Sequence, residues 1–261
     1  MPSPKEIEFA RKMKALLQEA DNLQDEAVKR VLAILARARR EVAADVASTD
    51  WETYRLAGLK EAIERAMTDF ADKYSVDLRS AQADLFDLGI ARADIPLSTT
   101  VAMSMVPSIN IKALEIAQNY SSDLISNLTE DSIKKINQEL TMGILGQKTP
   151  FEVMTAIGKN LDDPSVFRSI ATRAEVITRT ETGRIFEMAT QSRMEDAQRV
   201  VPDLMKQWMS SPIRPTARPE HHTAEVDGQI RGIDEAFDVA GEQLMFPGDP
   251  AGSAWNTINC G

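Results

Sequence analysis

Up to Pro202, apolar side chains recur at three- and four-residue steps, the spacing that places them on one face of an α-helix. Over 5–47, Leu23, Ala27, Val31, Ile34, Leu35, Ala38 and Val42 form such a face, and Asp21-Asn22 predicts a break in it. Ser48-Thr49-Asp50 reads as an N-cap ahead of Trp51 and a second amphipathic helix running towards Leu88, weakened at Gly58. Gly89 through Pro96 reads as a connection, and Pro107 interrupts the next apolar stretch. Three shorter helices are predicted over 111–126, 130–145 and 150–161. Thr129-Glu130 and Thr149-Pro150 supply starts, and Gly146 ends the middle helix in a left-handed conformation. Asp162-Asp163-Pro164-Ser165 then opens a long helix from Ser165 to about Gln198.

After Pro202 the pattern changes. Half of the 12 prolines lie from there on, and glycines 228, 232, 241, 248, 252 and 261 crowd the end. The short apolar pieces 226–233 and 237–239 read as strands between turns. The predicted fold is mainly α: an extended helical N-terminal region, then a small α+β C-terminal domain whose strands and Pro/Gly turns pack on the long helix.

Composition narrows the class. With 261 residues and 43% hydrophobic content the chain can build real cores. No apolar run approaches the roughly 18–20 residues of a membrane span, and the start lacks the apolar core of a secretory signal. The lone Cys260 excludes an intrachain disulfide and a cysteine-only zinc site, which predicts a protein made and assembled in cytosol. A net charge of −10 argues against wholesale nucleic-acid coating. Residues 1–40 nevertheless carry nine basic against six acidic side chains, densest at Arg37-Ala-Arg39-Arg40. That spot suits either a local contact with DNA or an acidic partner, or a solvated helix face.

Chemistry concentrates on the long helix and the tail. At 100° per residue Val166, Ile170, Ile177 and Met188 share a stripe with Arg173, Glu181 and Arg184, while Arg179 points the other way. Charges on an apolar face must be paired or lie at its rim, and Glu181 with Arg184 makes an i,i+3 pair. They read as a polar cluster facing the tail or as a structural ion pair. His221 and His222 need further ligands to bind a metal, with Asp227 and Cys260 as the available completions; no metal or cofactor is assigned. In Pro247-Gly248-Asp249-Pro250, Asp249 is expected to cap backbone N–H groups within a tight turn. Asn256 and Asn259 are suited to satisfying loop backbone groups.

Several blocks, in order, resemble the phage head-morphogenesis family, the Mu F-like minor head proteins. They are Gly143-Ile-Leu-Gly146-Gln-Lys-Thr-Pro-Phe-Glu-Val, Arg179-Thr180-Glu181, Lys206-Gln-Trp208, Arg218-Pro-Glu-His221, Asp227-Gly228-Gln-Ile, Leu244-Met-Phe246-Pro-Gly-Asp-Pro250 and Ile258-Asn259-Cys260. The step from His221 to Asp227 is longer than the family's, so either His221 or His222 is the equivalent one. The sequence stops at Cys260-Gly261, short of a second family cysteine.

The resemblance covers 109–261 and implies a head-morphogenesis domain there, with a turn-rich tail over 202–261. Residues 1–108 are left as a helical region for docking to a portal or scaffold. It implies a non-enzymatic minor capsid protein of a tailed bacteriophage, at low copy in the virion. Such a protein is assembled in the host cytoplasm with the portal, a scaffold or the major capsid protein, and affects DNA packaging or ejection. Taken with the helix stripe, the blocks group Arg173, Glu181 and Arg184 with Arg218, His221 and Asp227 as a structural polar cluster, beside the tail motif Pro247–Pro250, Asn259 and Cys260. A reading of another class makes His221 or His222, with Glu181 and Asp227, the acid–base or metal groups of a small enzyme. No activated nucleophile or phosphate-cradling glycine loop accompanies them, and no catalytic residue is assigned.

Overall fold

The computed structural model describes residues 3–48, 56–99, 101–106, 111–158, 161, 164–209 and 225–258. The fold is mainly α with a small α+β C-terminal region. Helices α1 (Pro4–Ser48), α2 (Leu56–Leu97), α3 (Lys112–Ile144), α4 (Pro150–Ile157) and α5 (Val166–Gln198) are followed by four three-residue strands. The strands are β1 (Met205–Gln207), β2 (Ile230–Gly232), β3 (Phe237–Val239) and β4 (Glu242–Leu244), and the short α6 (Ala254–Thr257) comes after them. The strands pair as two antiparallel ribbons, β1 with β2 and β3 with β4.

Two compact units divide the chain, and neither is one continuous stretch. One comprises 1–25, 80–118 and 179–261; the other comprises 26–79 and 119–178. The second is helix on helix. Val31, Leu35, Ala38, Val42 and Val46 of α1 share a buried core with Ile63, Met67, Phe70 and Tyr74 of α2, Ile125, Leu128, Ile136 and Leu140 of α3, and Phe167 and Ile170 of α5. The Tyr74 hydroxyl, fully buried, donates to the Ala174 carbonyl at 2.9 Å and so avoids the cost of an unpaired polar group.

The first unit has several smaller cores. Leu16 and Ala20 pack with Leu85 and Phe186; Ala93, Leu97, Val106 and Ala197 form another. Trp208, Val226, Phe237, Val239 and Leu244 make the core of the tail, with Trp208 and Phe237 edge to face at 5.3 Å. The β3–β4 ribbon turns through Ala240 and Gly241, both at positive φ, as its two-residue loop demands.

Local start and stop signals match the structure where they were strongest. Thr149 and Glu152 form a reciprocal capping box with Pro150 in the first turn, Gly146 takes φ +69°, and Ser165 Oγ accepts from Arg168 N at the head of α5. Three expectations are corrected. Helix α1 has no break at Asp21-Asn22; the Gln18 amide donates to Asn22 Oδ1 within the helix, and Leu16, Ala20 and Gln24 keep a buried face through it. The helices expected over 111–126 and 130–145 are one helix, α3. Ser121, Ile125, Leu128, Ser132, Ile136 and Leu140 are buried in one unbroken register, and Thr129 lies within it rather than capping a start.

Gly89 through Pro96 is not a connection but the last turns of α2. A Cβ at Gly89 would lie 2.3 Å from the Phe186 carbonyl oxygen, so the glycine marks a close helix crossing. Pro96 is tolerated because it stands one residue from the helix end, where buried Ala93 and Leu97 and the Asp94–Arg193 pair at 2.6 Å hold the last turn. The expected cap at Ser48-Thr49-Asp50, Trp51, Pro107 and Asp162-Asp163 fall in whole or part outside the described residues.

Candidate functional site

Helix α5 positions the principal cluster. Its 3.6-residue repeat stacks Glu181 beneath Arg184, as the i,i+3 spacing predicts. Arg184 Nη1 donates to Glu181 Oε1 at 2.8 Å and Oε2 at 2.9 Å, with side chains only 10% and 3% exposed. Arg184 Nε donates to the Gly248 carbonyl at 2.9 Å, which ties the tail turn to the helix. Arg179 lies on the other side, as expected, and pairs with Asp25 of α1 at 2.8 Å. Beside it the Gln24 amide donates to the Arg179 carbonyl and to Thr182 Oγ1.

The turn is built as its residue types require. Gly248 sits at φ +78°, which an L side chain rarely adopts. Asp249, 7% exposed, accepts from Met245 N at 2.8 Å and Ala251 N at 2.9 Å, so it caps backbone rather than facing outward for a ligand. Glu242 accepts from Ser253 N, and its hydrogen bonds to Ser253 hold its carboxyl below the usual range. Asn256, also buried, approaches the Val239 carbonyl at 3.5 Å.

Sequence reasoning places Lys206 only in the Lys206-Gln-Trp208 block, without its burial or contacts, and misses Gln191 altogether. Lys206 is 4% exposed; its ammonium donates to the Met245 carbonyl at 3.0 Å and Gln191 Oε1 at 3.3 Å, and lies over the Phe237 ring. Gln191 Nε2 donates to the Ile233 carbonyl and Glu195. In the structure Lys206 of β1 and Trp208 just after it, two apart, share an inward face, but a strand of three residues shows too little alternation in the sequence to mark that lysine as buried. Burial pushes the Lys206 pKa down, opposed by the carboxylates of Glu195, Asp234, Asp249 and Glu235.

With its folded pKa below the ordinary lysine value, Lys206 sheds its proton earlier in the folded chain than in the unfolded one. Between the two values the unfolded chain holds more protons, so stability contributed at this site rises with pH. Urea midpoints of wild type and Lys206→Met, followed from neutral pH to the ordinary lysine pKa, are expected to differ by this slope. Parallel curves would remove Lys206 as its source.

Arg173 does not join the Glu181–Arg184 pair. Eight residues along a helix is about 12 Å, beyond direct pairing despite the shared stripe, and Arg173 bridges to Asp131 of α3 at 3.3 Å. Asp227 is exposed in the turn before β2. Arg218, His221, His222, Asn259 and Cys260 lie outside the described residues. Arg37 pairs with Glu41 at 2.9 Å, and Arg40 is exposed. Arg37 and Glu41 line a shallow groove of about 540 Å³ with Asp45, Arg65, Asp69 and Lys73, so charges of both signs surround the basic spot.

Among the described residues no helix is long and apolar enough to cross a membrane, and no group of three His, Cys, Asp or Glu side chains could hold a metal ion. Compared with known protein families, curated proteins and solved structures, the chain matches none.

Proposed function

We propose that this chain is a minor head protein of a tailed bacteriophage, acting in procapsid assembly with the portal and in DNA packaging or ejection. The supporting observation is the meeting of two blocks that carry the sequence resemblance. Arg179-Thr180-Glu181 and Pro247-Gly248-Asp249-Pro250, far apart in sequence, join through Arg184 in one buried contact. Two motifs that meet in this way behave as a single folded module, and a module closed by buried pairs and capped turns suits a structural or interaction role. The helical region carries the docking surfaces, and the mixed charge around Arg37 suits a local, salt-sensitive contact.

The test is co-purification with the portal oligomer, by size-exclusion chromatography with light scattering at low and moderate salt. A stable complex holding fewer copies of this chain than of the portal subunit is the expected result. A folded chain that runs alone under both conditions would overturn the assignment.

A further inference from the structure

We infer that the first turns of α1 are a preformed docking helix for an apolar groove with an acidic rim on a partner protein. This inference rests on the assembly role proposed above and assigns the segment that makes the contact. Phe9, Met13, Leu16, Ala20 and Leu23 recur at alternating four- and three-residue steps, the seam of a packed helix pair. Leu16, Ala20 and Leu23 of this seam pack in the fold against Leu85, Leu88 and Phe186. The seam then overshoots its own core: residues 3–12 are exposed on every side, Phe9 among them.

Nine residues of unsupported helix are marginal in water, yet this stretch is specified as helix to its tip. Ser3 Oγ accepts from Glu6 N, the Glu6 carboxylate accepts from Ser3 N, and Pro4 occupies the first helical position. A helix capped at its tip before any partner arrives lowers the ordering cost of binding, as a docking element requires.

Charge and area select the partner. Lys5, Arg11, Lys12 and Lys14 outnumber Glu6 and Glu8 in the segment, so an acidic rim complements it. Pairing with the same segment of a second copy would oppose like charges. It would also bury far less than the roughly 1,200 Å² that stable association takes. A groove on a larger partner, engaged together with other contacts, meets both conditions.

The test measures binding of the full chain to the portal ring at several salt concentrations, for wild type, Phe9→Ala/Met13→Ala and Lys5→Glu/Lys12→Glu. Both variants are expected to weaken binding tenfold or more without lowering the melting temperature, and the charge variant to flatten the salt dependence. Wild-type binding that both variants match would overturn this inference and leave the assembly role standing. Failure of the wild type to bind would overturn both. A concentration-dependent dimer of the chain, abolished by Phe9→Ala/Met13→Ala, would replace the acidic partner with a second copy.

Discussion

Glu181→Ala is expected to cost the chain roughly 3–5 kcal/mol, the effect of stranding one member of a buried ion pair. The carboxylate receives Arg184 Nη1 at both oxygens, and both side chains are nearly inaccessible. Water cannot replace the lost partner there, so the guanidinium keeps its desolvation cost without the compensating charge. The effect should spread to the tail, because the same guanidinium holds the Gly248 carbonyl. Urea denaturation reads the loss as a lowered midpoint, and hydrogen exchange should accelerate at the Met245 and Ala251 amides, which Asp249 caps. Glu181→Ala/Arg184→Met should recover part of the loss, since apolar replacement of a whole buried pair is often near neutral. A stability change within the roughly ±0.5 kcal/mol typical of a surface position would sink the assignment of this pair as the lock of the tail.

The second large effect runs against ordinary helix propensity. In a helix interior Gly→Ala normally stabilises by up to about 1 kcal/mol. At Gly89 the added methyl would stand 2.3 Å from the Phe186 carbonyl oxygen and 2.8 Å from Ala189 Cβ. A backbone oxygen cannot swing aside as a side-chain tip can, so α2 and α5 must move apart there. That separation would strain the Thr190 hydroxyl, which sits 3.0 Å from the Gly89 carbonyl and 2.9 Å from that of Phe186. Overpacking of this kind costs about 3 kcal/mol, so Gly89→Ala is expected to lose about 2 kcal/mol net. Gly58 is the control: it lies in the same helix with nothing within 4 Å of an added Cβ. Gly58→Ala should gain about 0.5 kcal/mol. Thermal and urea unfolding of the two variants should therefore move in opposite directions. A stabilised Gly89→Ala would mean that the crossing is not tight.

Features set by neighbours in the chain were legible in the sequence. The helix start at Thr149-Pro150, the left-handed stop at Gly146, the head of α5, the Glu181–Arg184 pair and the backbone-capping role of Asp249 each involve groups at most four residues apart. Their geometry follows from φ preferences and helical repeat alone. The β-ribbons are partly legible: the apolar pieces 226–233 and 237–239 predict strands, whereas nothing local marks β1 and β4. A three-residue strand has too little alternation to be seen without its partner, and the partner of β1 lies more than twenty residues on.

What only the tertiary structure decided concerns competition between local signals and packing. Thr129-Glu130 is a sound helix start in isolation, but the stripe from Ser121 to Leu140 buries more by continuing, so the helix runs through. Gly89 and Pro96 look like punctuation, yet the glycine serves a helix crossing and the proline stands in the last turn of α2, where the i→i−4 bond it removes affects only the end of the helix. The burial of Lys206 likewise depended on Gln191, Phe237 and the Met245 carbonyl arriving from three distant segments. By itself the sequence determined the helical character, the caps and turns, and the charge pairs within one helix, because those energies are local. Tertiary structure decided where helices end, which glycine is a contact and which lysine is inside, because those depend on surface that only another segment can cover.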